Sequence, residues 1–257
     1  MRKFLSVLLV LFIVQSNLVA LDDVDLEFEV GMYDADFGGD ISNSTNSVGF
    51  DNDLGYSNSS SSFFGITAKF KNKWIPVMRF NYIEFSERSS ATLNNKLIGT
   101  TYFNETVNSN IDYTVLNSIF YYEFKAKGKK KRMFGKSRYT GDYEVDIGVN
   151  FKNIDFSYDM VGLTTGNIEY IKVESSILLP YVGFKYYLYN LSIFADISTL
   201  ALSDVDATSY NIGFDYQMIR NLYLGLTFFY EDFEDTIAGD TVTFESSGIM
   251  YSVKYAF

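Results

Sequence analysis

The chain has 257 residues, carries 21 Lys and Arg against 32 Asp and Glu for a formal charge of −11, and contains 24 Phe and 21 Tyr but neither His nor Cys. Without imidazole there is no Ser–His–Asp triad, no His general base and no His metal site. Without thiol there is no disulfide, no thiolate zinc site and no lipidated N-terminal Cys. The acidic balance argues against a dedicated nucleic-acid binder, whose phosphate partner demands a positive surface.

Residues 1–20 read MRKFLSVLLVLFIVQSNLVA. Arg2 and Lys3 form a short positive region, Phe4 to Val14 an apolar core, and Ala20 a small residue at a cleavage point, which predicts a Sec-type signal peptide. The apolar run is shorter than the roughly 20 residues a spanning helix needs. Every later apolar run is short and interrupted by charge, so the mature chain, 21–257, is expected to be one domain without a spanning helix.

From residue 61 onward the chain alternates apolar and polar residues in stretches of about ten, the period of a strand. Tyr143, Val145, Ile147, Val149 and Phe151 share one face, and Glu144, Asp146, Gly148 and Asn150 the other. Tyr210, Ile212, Phe214 and Tyr216 oppose Asn211, Gly213 and Asp215; Phe64, Ile66, Ala68 and Phe70 oppose Gly65, Thr67 and Lys69. The polar face is rich in Gly and charge and the apolar face in aromatics. That is the inversion expected of a transmembrane barrel, with lipid outside and a polar lumen inside. A periplasmic sandwich or a lipocalin-like barrel would write the same alternation with the faces exchanged. Ile249, Tyr251, Val253, Tyr255 and Phe257 end the chain in one further alternating strand.

The alternation predicts an all-β fold, a single antiparallel transmembrane barrel of about ten strands, at 24–35, 62–71, 75–87, 110–125, 142–157, 169–189, 191–202, 207–218, 221–234 and 244–257. An even count puts both termini on one side. Connections at 72–74, near Asn190 and at 219–220 are tight. Those at 36–61, 88–109, 158–168 and 235–243 are long and rich in Ser, Thr, Asn, Asp and Gly, as extracellular loops are. The connection at 126–141 is too long for a periplasmic turn.

The chain resembles a family of small proteobacterial outer-membrane β-barrel proteins without an assigned activity. The residues that carry the resemblance are Asn52-Asp53-Leu54-Gly55, Ile75-Pro76-Val77-Met78-Arg79-Phe80-Asn81-Tyr82, Ile111-Asp112 through Phe120-Tyr121-Tyr122-Glu123, Val145-Asp146-Ile147-Gly148, Leu179-Pro180-Tyr181 and Tyr255-Ala256-Phe257. These motifs are structural. They imply fold and a Gram-negative outer-membrane location, and carry over no catalytic residue. The terminal strand, through Tyr255 and Phe257, resembles the signal read by the outer-membrane assembly machinery, an expected partner alongside outer-membrane lipids and lipopolysaccharide.

Glu27, Glu29, Lys69, Arg79, Glu144, Asp146, Lys152, Lys185, Asp196, Asp215, Glu231 and Lys254 fall on the predicted lumen face. A barrel of this size has a narrow interior, so these charges read either as an internal salt-bridge network or as the lining of a narrow channel for small solutes or ions. Paired carboxylates can do acid–base work, but barrel proteases and Ser–His lipid-modifying barrels depend on the His that is missing here, so no enzyme and no catalytic residue is expected. Asp51-Asn52-Asp53-Leu54-Gly55 lacks the later ligands of a calcium loop and reads as a turn. Glu231, Asp232, Glu234, Asp235 and Asp240 read as an acidic outer loop. No metal site and no cofactor is expected.

Residues 125–138, KAKGKKKRMFGKSR, hold eight basic residues and no acid. They read as a solvated hairpin turn or as a contact for anionic lipid or another polyanion through Lys127, Lys129, Lys130, Lys131, Arg132, Lys136 and Arg138. Trp74, at a tight turn, suits an interfacial aromatic belt. The sequence thus predicts a structural or surface-interaction barrel with a salt-bridged lumen, with a narrow channel as the alternative.

Overall fold

The computed structural model describes residues 23–43, 46–133, 136–201, 205–237 and 240–257, and for 129–140, 201, 205 and 237 the backbone alone. The expected signal peptide therefore lies outside the described residues. The strands are β1 (Val24–Ser42), β2 (Ser47–Gly49), β3 (Ser59–Phe70), β4 (Val77–Thr92), β5 (Lys96–Ile98), β6 (Thr101–Phe103), β7 (Thr106–Ala126), β8 (Lys129–Met133), β9 (Lys136–Gly162), β10 (Ile168–Leu188), β11 (Leu191–Ala201), β12 (Val205–Ile219), β13 (Leu222–Ile237) and β14 (Asp240–Ala256). Ten of them close a ring in the order β1-β3-β4-β7-β9-β10-β11-β12-β13-β14, every neighbour antiparallel. The last strand seals against the first, with Glu29 opposite Lys254 and Phe28 opposite Tyr255. Among the described residues, closure gives every one of the ten ring strands a partner on both sides, the condition for strands to cross lipid.

All ten predicted strands are present, and several run further than alternation alone indicated. The expected loops at 158–168 and 235–243 are mostly strand, leaving 163–167 between β9 and β10 and 238–239 between β13 and β14. The reason lies in β9. From Glu144 to Met160 its even-numbered residues point inward, but their chemistry changes partway along. Glu144, Asp146, Asn150 and Lys152 are buried in the lumen, and so are Ile154, Phe156, Tyr158 and Met160 further up. The outward residues change in the opposite sense, from Tyr143, Ile147, Val149 and Phe151 to Asn153, Asp155, Ser157 and Asp159. Neighbouring strands switch at the same height. Leu178 pairs with Phe151 and Ser176 with Asn153, while Phe228 pairs with Ile249 and Tyr230 with Ser247.

The barrel therefore has two storeys. The storey that carries both termini and the tight turns has an outward apolar belt that includes Phe80, Phe124, Ile147, Phe184, Ile212 and Tyr251. A belt of exposed large apolar side chains around a closed ring is a lipid-facing surface. The upper storey has a polar outside and an apolar inside, like a soluble protein. Roughly 9–11 tilted residues suffice to cross a bilayer, whereas β7 and β10 have 21 each, so the upper storey stands clear of lipid.

The expectation of a polar lumen holds for the lower storey alone. Above it an aromatic lattice crosses the barrel. Phe37 stacks on Phe85 at 4.1 Å between ring centres, Phe85 meets Tyr113 at 5.3 Å, and Tyr113 meets Phe244 at 4.3 Å from the far side of the ring. The connection between β1 and β3 folds down into this layer. Val48, Phe50 and Leu54 are wholly buried, and Phe50 touches Phe156 and Tyr158. Asp53 accepts the Gly49 amide at 2.9 Å and pairs with Lys96 at 3.1 Å, so the Asp51–Gly55 run is a turn. The burial of about 30 apolar side chains here removes them from water at roughly 25 cal/mol per Å².

At the opposite end, the over-long connection at 126–141 is a hairpin. β8 pairs with the start of β9, Lys131 opposite Arg138. Trp74 sits on the turn beside it, 89% exposed, its carbonyl accepting the Tyr122 hydroxyl at 3.1 Å.

Candidate functional site: a charged chamber beneath an aromatic plug

The lower storey encloses a cavity of about 290 Å³. Glu27, Glu29, Lys69, Arg79, Glu144, Asp146, Lys185, Asp196, Asp215 and Lys254 all line it. They come from eight strands, each placed inward by the period of two and brought level by the register. Gly183 keeps the wall open here: a Cβ at that position would lie 2.9 Å from the Tyr181 hydroxyl and 3.2 Å from the Asp146 Cβ.

The charges are organised into pairs that sequence spacing does not show. Arg79 and Lys69, close together in sequence, have different partners. The Arg79 guanidinium donates to the Tyr121 hydroxyl at 3.1 Å and the Tyr181 hydroxyl at 3.4 Å, lies 3.8 Å from Asp196, and sits 5.2 Å over the Tyr121 ring. Asp196 also accepts from Asn211 at 2.8 Å. Lys254 joins Glu29 at 3.4 Å to Asp215 at 3.0 Å, and Lys185 reaches Asp215 from the other side at 3.5 Å. Lys69 pairs with Glu123, and Lys125 bridges Glu123 at 3.0 Å and Glu144 at 2.7 Å.

Glu123 and Lys125 were not among the sequence candidates. Their signal was present, since they alternate with the outward Tyr122 and Phe124. Glu231 was read both on the lumen face and in the acidic outer cluster, and it takes the first place, pointing inward to Lys152 at 3.0 Å. Lys152 is completely buried, and this pair is the floor of the aromatic plug.

Asp146 stands apart. It is 5% exposed, and its Oδ1 accepts no hydrogen bond. Its carboxylate groups with those of Glu123 and Glu144, the ligand oxygens all within 4.8 Å of one another. Among the described residues, these three carboxylates lie close enough together to share a cation. The predicted polyanion contact is exposed at Lys127, whereas the side chains of Lys129, Lys130, Lys131, Arg132, Lys136 and Arg138 lie outside the described residues.

An even number of antiparallel strands closed into a ring, both termini at one end and a lipid-facing belt define the outer-membrane type of β-barrel, and this chain is such a barrel. No protein-family model matches it, nor does any curated protein sequence; the sequence resemblance to an uncharacterised barrel family has no family model behind it. Solved structures to which the fold is similar include the outer membrane protease OmpT from Escherichia coli, at 8% identity over 93% of this chain and 98% of that one with a TM-score of 0.46. The translocator domain of the autotransporter NalP from Neisseria meningitidis matches at 13% identity over 95% and 92%, TM-score 0.41. Ail, the attachment invasion locus protein of Yersinia pestis, matches at 8% identity over 90% and 99%, TM-score 0.35. At such identities and scores no activity, ligand or residue role passes to this chain.

Proposed function

We propose that the protein is a non-enzymatic, non-conducting barrel of the Gram-negative outer membrane whose upper storey is a surface-interaction platform. The observation that carries this reading is the aromatic plug. Tyr113 and Phe244 meet at 4.3 Å across the ring, and Phe50 from the folded-in connection packs on Phe156 at 5.9 Å, so a solute path above the chamber would have to break a dry core. The lower charges then serve as an internal network that satisfies inward polar groups. The upper strands, hydrophobic within and polar without, hold the surface loops on a rigid base. Tyr255 and Phe257 of the closing strand act as the assembly signal. The Phe257 amide bonds to the Leu26 carbonyl at 2.8 Å and its ring meets Phe28 at 5.4 Å, so the signal also completes the seam. The basic hairpin at the turn end, Lys127 included, contacts anionic lipid or another polyanion.

The channel alternative draws on the chamber itself, which is lined by cations and carboxylates at the turn end. Single-channel recording in planar bilayers separates the two. The full chain is expected to insert and remain silent. Discrete, reproducible current steps, altered in ion preference by Arg79→Ala or Lys254→Ala, would overturn the closed-barrel reading.

A further inference from the structure

We propose that Glu123, Glu144 and Asp146 form a calcium site at the turn end of the chamber, with the Lys125 ammonium as the resident cation that calcium displaces. Three observations converge. The ligand oxygens of the three carboxylates lie within 4.8 Å of one another, a spacing that one ion can span. Asp146 is 95% buried on the chamber wall, yet its Oδ1 has no hydrogen-bond partner, a costly state for a buried carboxylate and one that a cation relieves. The chamber is also short of positive charge. It is lined by nine carboxylates and five cationic side chains, and one of the nine, Glu231, is taken by Lys152 above.

The ligand chemistry selects the ion. An all-oxygen set without nitrogen or sulfur suits hard cations. Calcium tolerates irregular coordination and keeps waters where the protein supplies few ligands, whereas magnesium demands near-octahedral geometry. The cavity of about 290 Å³ leaves room for those waters. Arg79 does not fill the role, since its donors go to Tyr121, Tyr181 and Asp196. Lys125 partly does: it holds Glu123 at 3.0 Å and Glu144 at 2.7 Å, but its side chain is 49% exposed on a flexible stem and can leave.

The test is calorimetric titration of calcium into the full chain, stripped with chelator and held in zwitterionic detergent free of lipopolysaccharide, which would itself bind the ion. One saturable site is expected. Asp146→Asn should weaken it about tenfold or more, as loss of a charged ligand does. Lys125→Gln should tighten it by removing the competitor. Asp232→Asn/Glu234→Gln, on the outer surface, should leave it unchanged. Each variant's fold is checked by its heat-modifiable gel migration. No saturable binding at millimolar calcium would overturn the proposal, as would an Asp146→Asn isotherm equal to the parent's. So would a parent whose Tm ignores calcium while Asp146→Asn raises it, because the buried carboxyl would then be an uncompensated group that calcium does not reach.

Discussion

Lys152 and Glu231 meet across the lumen with Nζ 3.0 Å from Oε1, although three strands separate β9 from β13 around the ring. Glu231 has a second partner in the Tyr113 hydroxyl at 3.3 Å. Lys152 is wholly buried, so removing its partner leaves a charge with neither water nor counter-ion. Glu231→Leu alone is expected to destabilise the barrel by about 3–5 kcal/mol. Glu231→Leu/Lys152→Met should recover most of that loss, because an apolar pair extends the plug above it. Urea unfolding followed by gel migration measures both. A double variant as weak as the single would show that the pair is net stabilising.

The plug itself makes the next prediction. Phe156 is fully buried and touches both Phe50 of the folded-in connection and Phe244 of the closing strand. Truncating a buried Phe to Ala costs about 3–5 kcal/mol in lost transfer energy and cavity. Phe156→Ala should therefore lower stability by that amount. Phe124→Ala, on the exposed belt, should cost far less in detergent, where its ring is already solvated by detergent tails. Equal losses at the two positions would mean that the plug is not a packed core.

The ten strands and their closure were legible because a period of two survives whatever the two faces are made of. What the sequence hid is a change of sign. Glu144, Asp146 and Lys152 share a face with Phe156, Tyr158 and Met160, so a rule that assigns polar residues inward works below Lys152 and fails above it. The clue lies in the other face, where Phe151 gives way to Asn153, Asp155 and Ser157. The chamber residues could be chosen by parity, and all ten line one cavity. Their pairing could not. Whether Arg79 meets Asp196 or Lys69 meets Glu123 depends on register and ring closure, which couple strands far apart in the chain.

Arg79 offers a test of fork geometry. Its two terminal nitrogens reach two different hydroxyls, on Tyr121 and Tyr181, while the carboxylate of Asp196 lies alongside. Lys has one compact ammonium and cannot repeat the arrangement. Arg79→Met should cost about 1.5–3 kcal/mol, the range for hydrogen bonds to a charged group. Arg79→Lys should recover part of it and no more. Full recovery in the Lys variant would show that charge alone matters at this position.

The last prediction concerns pH and the rim of the upper storey. Glu105, in the connection between β6 and β7, clasps the connection between β9 and β10: its carboxylate accepts the Thr165 hydroxyl, the Thr165 amide at 3.0 Å and the Thr164 amide. The Thr165 hydroxyl bond, with the two amides behind it, holds the Glu105 carboxyl below its ordinary range. A group whose folded pKa is depressed stabilises fully above its unfolded pKa and loses that contribution as pH falls through the folded value. The clasp should therefore be intact at neutral pH and open once the pH drops beneath the usual carboxylate range. Amide-exchange protection factors at Thr164 and Thr165 are expected to fall over that window, while those of β9 inside the barrel stay constant. Glu105→Gln should show the low protection already at neutral pH, since a neutral amide is a weaker acceptor for three donors. Protection in that variant equal to the parent's would show that the connection is held by its backbone bonds, such as Leu163 to the Thr106 carbonyl at 2.9 Å, without help from Glu105.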